Sequence, residues 1–376
     1  MSGLAVSNSP GGTTAYGCRS QAQWNKLVND AKSQGFKIIR IIGFDCSALE
    51  LASSAAATAG LQIMAGIFAQ FGTIAASSSQ IDNDVQRFRA AYTKYGAGRY
   101  VGLTIGNEVQ DSVGNIMAKV YSVRGYLKSV GVQTPVSTVH TWVDIRNNPA
   151  LCGADFVGAN AHAFFDGGVN SGQAGSFLYN TVKPALQAAC PGKKIYITES
   201  GWPSRGGNNR NAVASVPDEH NAISSINCAA RDTSMTIFAF EYDDQLWKNG
   251  GAIEQSFGIF GKILPGDALN AYPDPTLSKH NNNSISFCTY SYDVDTHGIA
   301  DVQEAPLPHQ QTYQTYQHRV DPTDYTIIPM QSTDGDTHTP VTQTPIRQWM
   351  DDEAYEAVPI TSGRTAVLPV SYSLHR

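Results

Sequence analysis

The sequence predicts an α/β chain folded as a (β/α)8 TIM barrel, and three observations carry that prediction. From Gly35 to about Gly261, short β-branched runs alternate with segments of helical period, the mark of βαβ units around a parallel sheet. The runs at Lys37 to Ile42, Gln62 to Ile67, Tyr100 to Gly106, Thr134 to Val139, Phe156 to Ala161, Lys194 to Thr198 and Thr236 to Phe240 read as strands. Gly3 to Val6 supplies an eighth, placed first and so near the start that it reads as the remnant of a clipped strand. Eight strands with their helices over roughly 260 residues match the size of such a barrel. The main rival, an open doubly wound sheet, would favour a Gly-x-Gly-x-x-Gly turn, which this sequence lacks.

Helical spacing justifies the segments between the strands. Trp24, Leu27, Val28 and Ala31 fall on one face, with Gly35 placed to stop the helix in a left-handed cap. Ile81, Val85, Phe88, Tyr92 and Tyr95 form a second stripe, ended at Gly96. Val113, Ile116, Met117, Val120, Leu127 and Val130 form a third, with Asp111 or Ser112 available as its cap and Gly131 as its stop. Beyond Lys262 the alternation ends. From about Thr289 to Arg376 the chain is rich in Thr, Gln, His, Asp and Pro without sustained period, and is expected to be a disordered tail.

Composition narrows the partners. Of 376 residues, 41% are apolar, enough for one sizeable core. A formal charge of -6 offers no excess of cations to phosphates, so nucleic acid is not an expected partner and a neutral polar ligand fits better. No apolar run approaches the roughly 20 residues of a spanning helix, so no membrane span is expected. Cys18, Cys46, Cys152, Cys190, Cys228 and Cys288 are even in number, with no Cys-x-x-Cys pair. They read as disulfides made outside the cytosol, although buried free thiols would look the same. Met1 to Val6 shows neither a basic nor an apolar signal region. Either the chain is not exported, or the N-terminus carrying its signal lies outside this sequence. Neither a metal nor a cofactor is called for: His140 and His162, at the ends of strands five and six, read as substrate contacts or buried polar residues.

Two acidic residues close two of the predicted strands: Glu108 after Val101-Gly102-Leu103-Thr104-Ile105-Gly106-Asn107, and Glu199 after Ile195-Tyr196-Ile197-Thr198. Barrels build their active sites at this rim, so an acid in that place reads as catalytic, the plain alternative being a helix cap or a surface ion pair. Two rim carboxylates suit glycoside hydrolysis, which needs a proton for the departing oxygen and a negative group to capture or stabilise the oxocarbenium-like centre. One carboxyl has to stay protonated near neutral pH, which burial beside the other achieves by raising its pKa.

Gly106-Asn107-Glu108 and Thr198-Glu199-Ser200-Gly201-Trp202-Pro203-Ser204 resemble the two signature segments of glycoside hydrolase family 17, the β-1,3-glucanases of fungi and plants. Phe240-Glu241-Tyr242-Asp243-Asp244-Gln245-Leu246-Trp247-Lys248, followed by Glu254-Gln255-Ser256-Phe257-Gly258-Ile259-Phe260, resembles the end of that family's barrel in its fungal wall branch. Arg40, Asp45-Cys46 and Asn160-Ala161-His162-Ala163-Phe164-Phe165 match more loosely, and the likeness covers about residues 3 to 262. It implies a retaining glycosidase with Glu199 as nucleophile, Glu108 as acid/base and Asn107 bonded to the sugar 2-hydroxyl. Lys248 and Glu254 match the family's polar residues near the site, Asn160 and His162 are implied substrate contacts, and Phe165, Trp202, Tyr242 and Trp247 are implied faces for stacking on pyranose rings. By the same likeness Cys18 pairs with Cys46 and Cys228 with Cys288, leaving Cys152 and Cys190 as a third possible pair; the domain would then span 1–290 and the tail 291–376. The chain departs from the family at Ile42, where members carry Tyr, at Gln245, where they carry Glu, and at Leu246 and Ala163, where they carry Pro.

The implied function is an endo-acting β-1,3-glucanase of the fungal cell wall, extracellular and monomeric, with a β-glucan polysaccharide as its partner. A β-1,3-glucanosyltransferase is a close variant, because the same glycosyl-enzyme can pass its glucan to another chain instead of water. A wall protein that binds glucan with weakened turnover is the rival from another class, favoured by Ile42 and Gln245 and opposed by both intact glutamates. An esterase fails for lack of a Gly-x-Ser-x-Gly elbow.

Overall fold

The computed structural model describes residues 1–262 except Ser234. The strands follow the order β1 (Gly3–Val6), β2 (Ile38–Ile41), β3 (Gln62–Ile67), β4 (Tyr100–Asn107), β5 (Val136–Thr141), β6 (Val157–Asn160), β7 (Ile195–Ser200), β8 (Asn208–Asn209), β9 (Ala212–Val213) and β10 (Thr236–Ala239). All but β8 and β9, which form a small antiparallel hairpin, close into one parallel barrel in which β10 pairs back onto β1. The predicted (β/α)8 barrel is the observed one. The short first strand takes its full place, bonded to β2 from Gly3 with Ile38 to Val6 with Ile41.

Around the barrel run α1 (Gln21–Ser33), α2 (Ala48–Ala59), α3 (Ser78–Tyr95), α4 (Val113–Ser129), the short α5 (Trp142–Asn147), α6 (Ala174–Phe177) and α7 (Lys183–Ala189), then α8 (Val216–Thr233) and α9 (Gly251–Glu254). The predicted stripe of α1 is its buried face, and Gly35 follows at φ +83°. Of the two caps open to α4, Ser112 takes the place, its Oγ accepting from the Asn115 N–H at 3.1 Å. The sequence reading found no stripe for α2 because 7 of its 12 residues are buried, nearly all Ala or Ser. Small side chains let that helix pack closely on more than one face and erase the period.

Inside the barrel, Ile38, Met64, Phe156, Tyr196 and Phe238 form a separate apolar layer, distinct from the larger core between strands and helices. Arg40 stands two residues beyond Ile38 on β2, so the two-residue period of a strand aims it along the same interior, toward the C-terminal mouth. Disulfides join Cys18 to Cys46 and Cys152 to Cys190. The first ties the loop after β1 to the turn after β2, at the mouth. Cys288 and the expected tail at 291–376 lie outside the described residues, as does the domain end at 290. Among the described residues no helix is long and apolar enough to cross a membrane.

Candidate active site

Both glutamates are aimed by breaks in strand regularity. On β4, Thr104 pairs with Ser137 but Asn107 pairs with Val139, so the register slips just before the site. Gly106 sits at φ +78°, and Glu108 itself is left-handed at φ +51°. That conformation costs a residue with a side chain about 1–2 kcal/mol, and it is pinned by the Glu108 N–H, which donates to Val139 O at 2.8 Å. On β7 the slip falls at Thr198: Ala159 pairs with Ile197, but Asn160 pairs with Glu199. An extra residue in one strand re-aims the side chains that follow, which brings Thr198 and Glu199 both to the interior. A Cβ on Gly201 would run into the Phe240 carbonyl, so glycine alone lets the end of β7 pass β10 this closely. The Gly-Asn-Glu and Glu-Ser-Gly spellings therefore have backbone causes.

Arg40 is the hub of the site. One guanidinium nitrogen donates to Glu199 Oε1 at 2.5 Å, and the other donates to Asn107 Oδ1 at 2.6 Å. Asn160 Nδ2 donates to Glu108 Oε1 at 2.7 Å and to Asn107 Oδ1 at 3.3 Å, while its own Oδ1 accepts from the Thr198 hydroxyl at 2.8 Å. The His162 ring lies 3.5 Å from Glu199 Oε2, edge-on to Phe165, Phe240 and Phe257. Glu108 and Glu199 thus belong to one hydrogen-bonded network spanning β2, β4, β6 and β7.

Their protons separate for stated reasons. Burial pushes Glu108 up to about 7, reinforced by the Glu199 charge and only partly offset by the Asn160 amide. Burial would raise Glu199 too, but the Arg40 guanidinium and the His162 ring bring it down to about 2. Toward neutrality Glu108 still keeps a proton in part of the molecules while Glu199 is ionised, the division of labour a general acid and a nucleophile need.

Beside Glu199 opens a cleft of about 610 Å³, counting space open to solvent, lined by Ser7, Asn8, Ile42, Asn107, Phe240, Glu241, Trp247, Lys248 and Glu254 among others. Lys248 pairs with Glu241 at 2.5 Å and lies over the Phe240 ring. Phe165 is 48% exposed and holds a free face at the rim. Of the residues read from the sequence, Asn107, Asn160, His162, Phe165, Trp247, Lys248 and Glu254 come together here. Two do not. Trp202 is fully buried, edge-on to Phe164, with its ring N–H donating to Val213 O at 2.7 Å, so it braces the β8–β9 hairpin and has no face for a sugar. Tyr242 is 7% exposed and gives its hydroxyl to Asp30 of α1 at 2.6 Å, with its ring on Phe260; it ties barrel to helix. His140 is a buried polar residue bonded to Thr138, its pKa lowered by burial to about 4.

The sequence reading passed over Asn8 and Glu241, both buried at the cleft. Asn8 follows β1, a rim position that could have flagged it. Glu241 stood unassigned in the quoted segment after β10. Gln245, one of the family departures, is fully buried and accepts from the Trp247 ring N–H at 2.7 Å, so it sets a wall of the cleft.

A closed parallel barrel with two glutamates meeting in one network at its C-terminal rim is the arrangement found in barrel glycosidases. The chain belongs to the BtgE/BtgC glycoside hydrolase family, whose domain it matches over residues 5–258, in agreement with the resemblance read from the motifs. It is 35% identical over 253 residues to the cell surface mannoprotein MP65 of Candida albicans, covering 65% of this chain and 63% of that protein. It is 33% identical over 259 residues to the probable beta-glucosidase btgE of Aspergillus clavatus, covering 66% of this chain and 42% of that protein. The chain therefore spans less than two thirds of these relatives. A glycoside hydrolase family 17 beta-1,3-glucanosyltransferase from Rhizomucor miehei shares the fold, with a TM-score of 0.58 and 21% identity over 69% of this chain and 92% of that one.

Proposed function

We propose that the chain is a retaining glycosidase acting on β-1,3-glucan, with Glu199 as nucleophile and Glu108 as acid/base. The observation that carries the reading is that Glu108 and Glu199 meet at the barrel rim in one hydrogen-bonded network, where burial raises the pKa of the first and Arg40 lowers that of the second. In the first step a Glu199 oxygen bonds to the anomeric carbon as the glycosidic C–O bond breaks, and the Glu108 proton passes to the departing oxygen. In the second, Glu108 takes a proton from water or a sugar hydroxyl, whose oxygen displaces Glu199. With its Oδ1 committed to Arg40 and Asn160, Asn107 has its amide N–H groups to offer a sugar hydroxyl. Ile42, Lys248 and Glu254 line the cleft, and the half-exposed Phe165 stands at the rim. Two disulfides and the cell surface relative favour work at the fungal wall.

A defined β-1,3-glucan oligosaccharide with its products resolved tests this. Retention at the new reducing end is expected, and Glu199→Gln should lower turnover roughly 10³-fold or more. Products longer than the input would assign transfer; only shorter ones, hydrolysis. An inverted first product, or binding to insoluble glucan with no bond cleaved, would overturn the reading.

A further inference from the structure

We propose that Thr198 is a positioning residue for the acid/base: its hydroxyl fixes which end of the Asn160 amide faces Glu108. The proposal rests on Glu108 serving as acid/base, and its test keeps the two claims apart.

The argument is one of donors and acceptors. An Asn side chain has one accepting and one donating end. Asn160 is 3% exposed and Thr198 fully buried, so solvent does not choose between the two orientations. Glu108 Oε1 and Asn107 Oδ1 are both positioned as acceptors toward Asn160, at 2.7 and 3.3 Å. Asn107 cannot turn to help, because its Oδ1 is held by the Arg40 guanidinium, which only donates. On the opposite side stands a single donor, the Thr198 hydroxyl, 2.8 Å from Asn160 Oδ1. That hydrogen bond rewards the orientation in which Nδ2 faces Glu108.

The register slip on β7 gives the arrangement its logic. A strictly alternating strand would send Thr198 and Glu199 to opposite faces, whereas here both reach the interior. One residue carries the nucleophile and its neighbour, through Asn160, governs the acid. An amide N–H favours the ionised form of Glu108, the form it takes once its proton has gone to the departing oxygen. The other charged or titratable groups facing Glu108 are Glu199 on β7, Arg40 on β2 and His162 after β6, none of which a change at Thr198 removes.

Thr198→Val keeps the shape and deletes the donor. Asn160 Oδ1 is then left without a partner, and turning the amide puts that oxygen against Glu108, where it can accept only from the protonated acid. The alkaline limb of the kcat/KM profile on a β-1,3-glucan oligosaccharide should move up by roughly half a pH unit or more. kcat should fall several-fold with KM little changed, and Thr198→Ser should restore both. In a Glu108→Gln background Thr198→Val should add nothing. Carbon-13 NMR titration of the glutamate carboxyls reads the same shift without turnover. An unmoved limb in Thr198→Val, or equal loss in the Val and Ser variants, overturns the proposal. Survival of the limb in Glu108→Gln would instead overturn the acid assignment on which it stands.

Discussion

Two strands, β4 and β7, end in the same side chain, Glu108 half-buried and Glu199 buried, yet the two carboxyls are shifted in opposite directions. Burial acts upward on both Glu108 and Glu199. What differs is the partner. Glu199 meets a full positive charge at 2.5 Å, whereas Glu108 meets a neutral amide at 2.7 Å. At an effective dielectric of about 20, two unit charges some 4 Å apart interact by about 4 kcal/mol, against about 1 kcal/mol for an ordinary hydrogen bond. At Glu199 the Arg40 guanidinium, with the His162 ring, overcomes desolvation; at Glu108 the Asn160 amide does not. The arginine on β2 is the largest favourable contribution to the difference.

Breaking that difference should have the largest effect. In Arg40→Leu, Glu199 keeps its desolvation and loses its chief compensation, so its pKa should rise from about 2 past the ordinary carboxylate range. The acid limb of kcat/KM, which the parent reaches only near pH 2, should then climb toward neutrality, with turnover down by roughly 10³-fold and stability down by about 3–5 kcal/mol. A pH series read beside a melting curve checks both. An acid limb that stays put would mean that Arg40 does not set the nucleophile's charge.

Removing the proton on the other side should cost less and depend on the substrate. Glu108→Gln should slow glucan turnover by about 10²-fold, the lower end for general acid catalysis, while sparing an aryl glucoside whose leaving group needs little protonation. The sign follows from the raised pKa: Glu108 keeps its proton below about 7 and gives it up above, so the parent is expected to lose activity as pH rises through 7. The Gln variant should show no such limb. Equal losses on both substrates would sink the acid role.

The sequence announces some of this and conceals the rest. Short β-branched runs and the helical stripes of α1, α3 and α4 sufficed for the barrel, because its parallel strands are buried on both faces and so read as continuous apolar runs. Glu108 and Glu199 were legible because each closes a strand at the rim, beside glycines whose backbone needs the structure makes plain. Trp202 misled for an instructive reason. It shares a motif with Glu199, yet its indole N–H is spent on the hairpin and its ring on Phe164, and motif membership does not separate bracing from contact. Arg40 carried a signal of its own, a lone cation within Ile38-Ile39-Arg40-Ile41, since a charge in a buried strand requires a partner. That the partner was Glu199, 159 residues away, only the closed barrel reveals.

The smallest predicted effect comes from another buried glutamate, outside the cleft. Glu219 of α8 has Lys262 Nζ at 3.3 Å, yet neither carboxyl oxygen accepts a hydrogen bond. That ammonium is already engaged by Ser204 Oγ, Asp244 Oδ1 and Ser256 O. Burial accordingly pushes Glu219 up to about 8, with Lys262 opposing it only in part. The contacts differ in length: Lys262 Nζ stands 3.3 Å from Glu219, whereas Arg40 stands 2.5 Å from Glu199. Because the folded pKa lies above the unfolded value, the unfolded chain gives up this proton from about pH 4.5 while the folded chain keeps it until about 8, so stability drains away across that window. Glu219→Gln is neutral throughout. Its melting temperature should match the parent's near pH 4 and exceed it by a few degrees at pH 8, with turnover unchanged. A parent that is the more stable protein at pH 8 would show that the Lys262 pair outweighs burial after all.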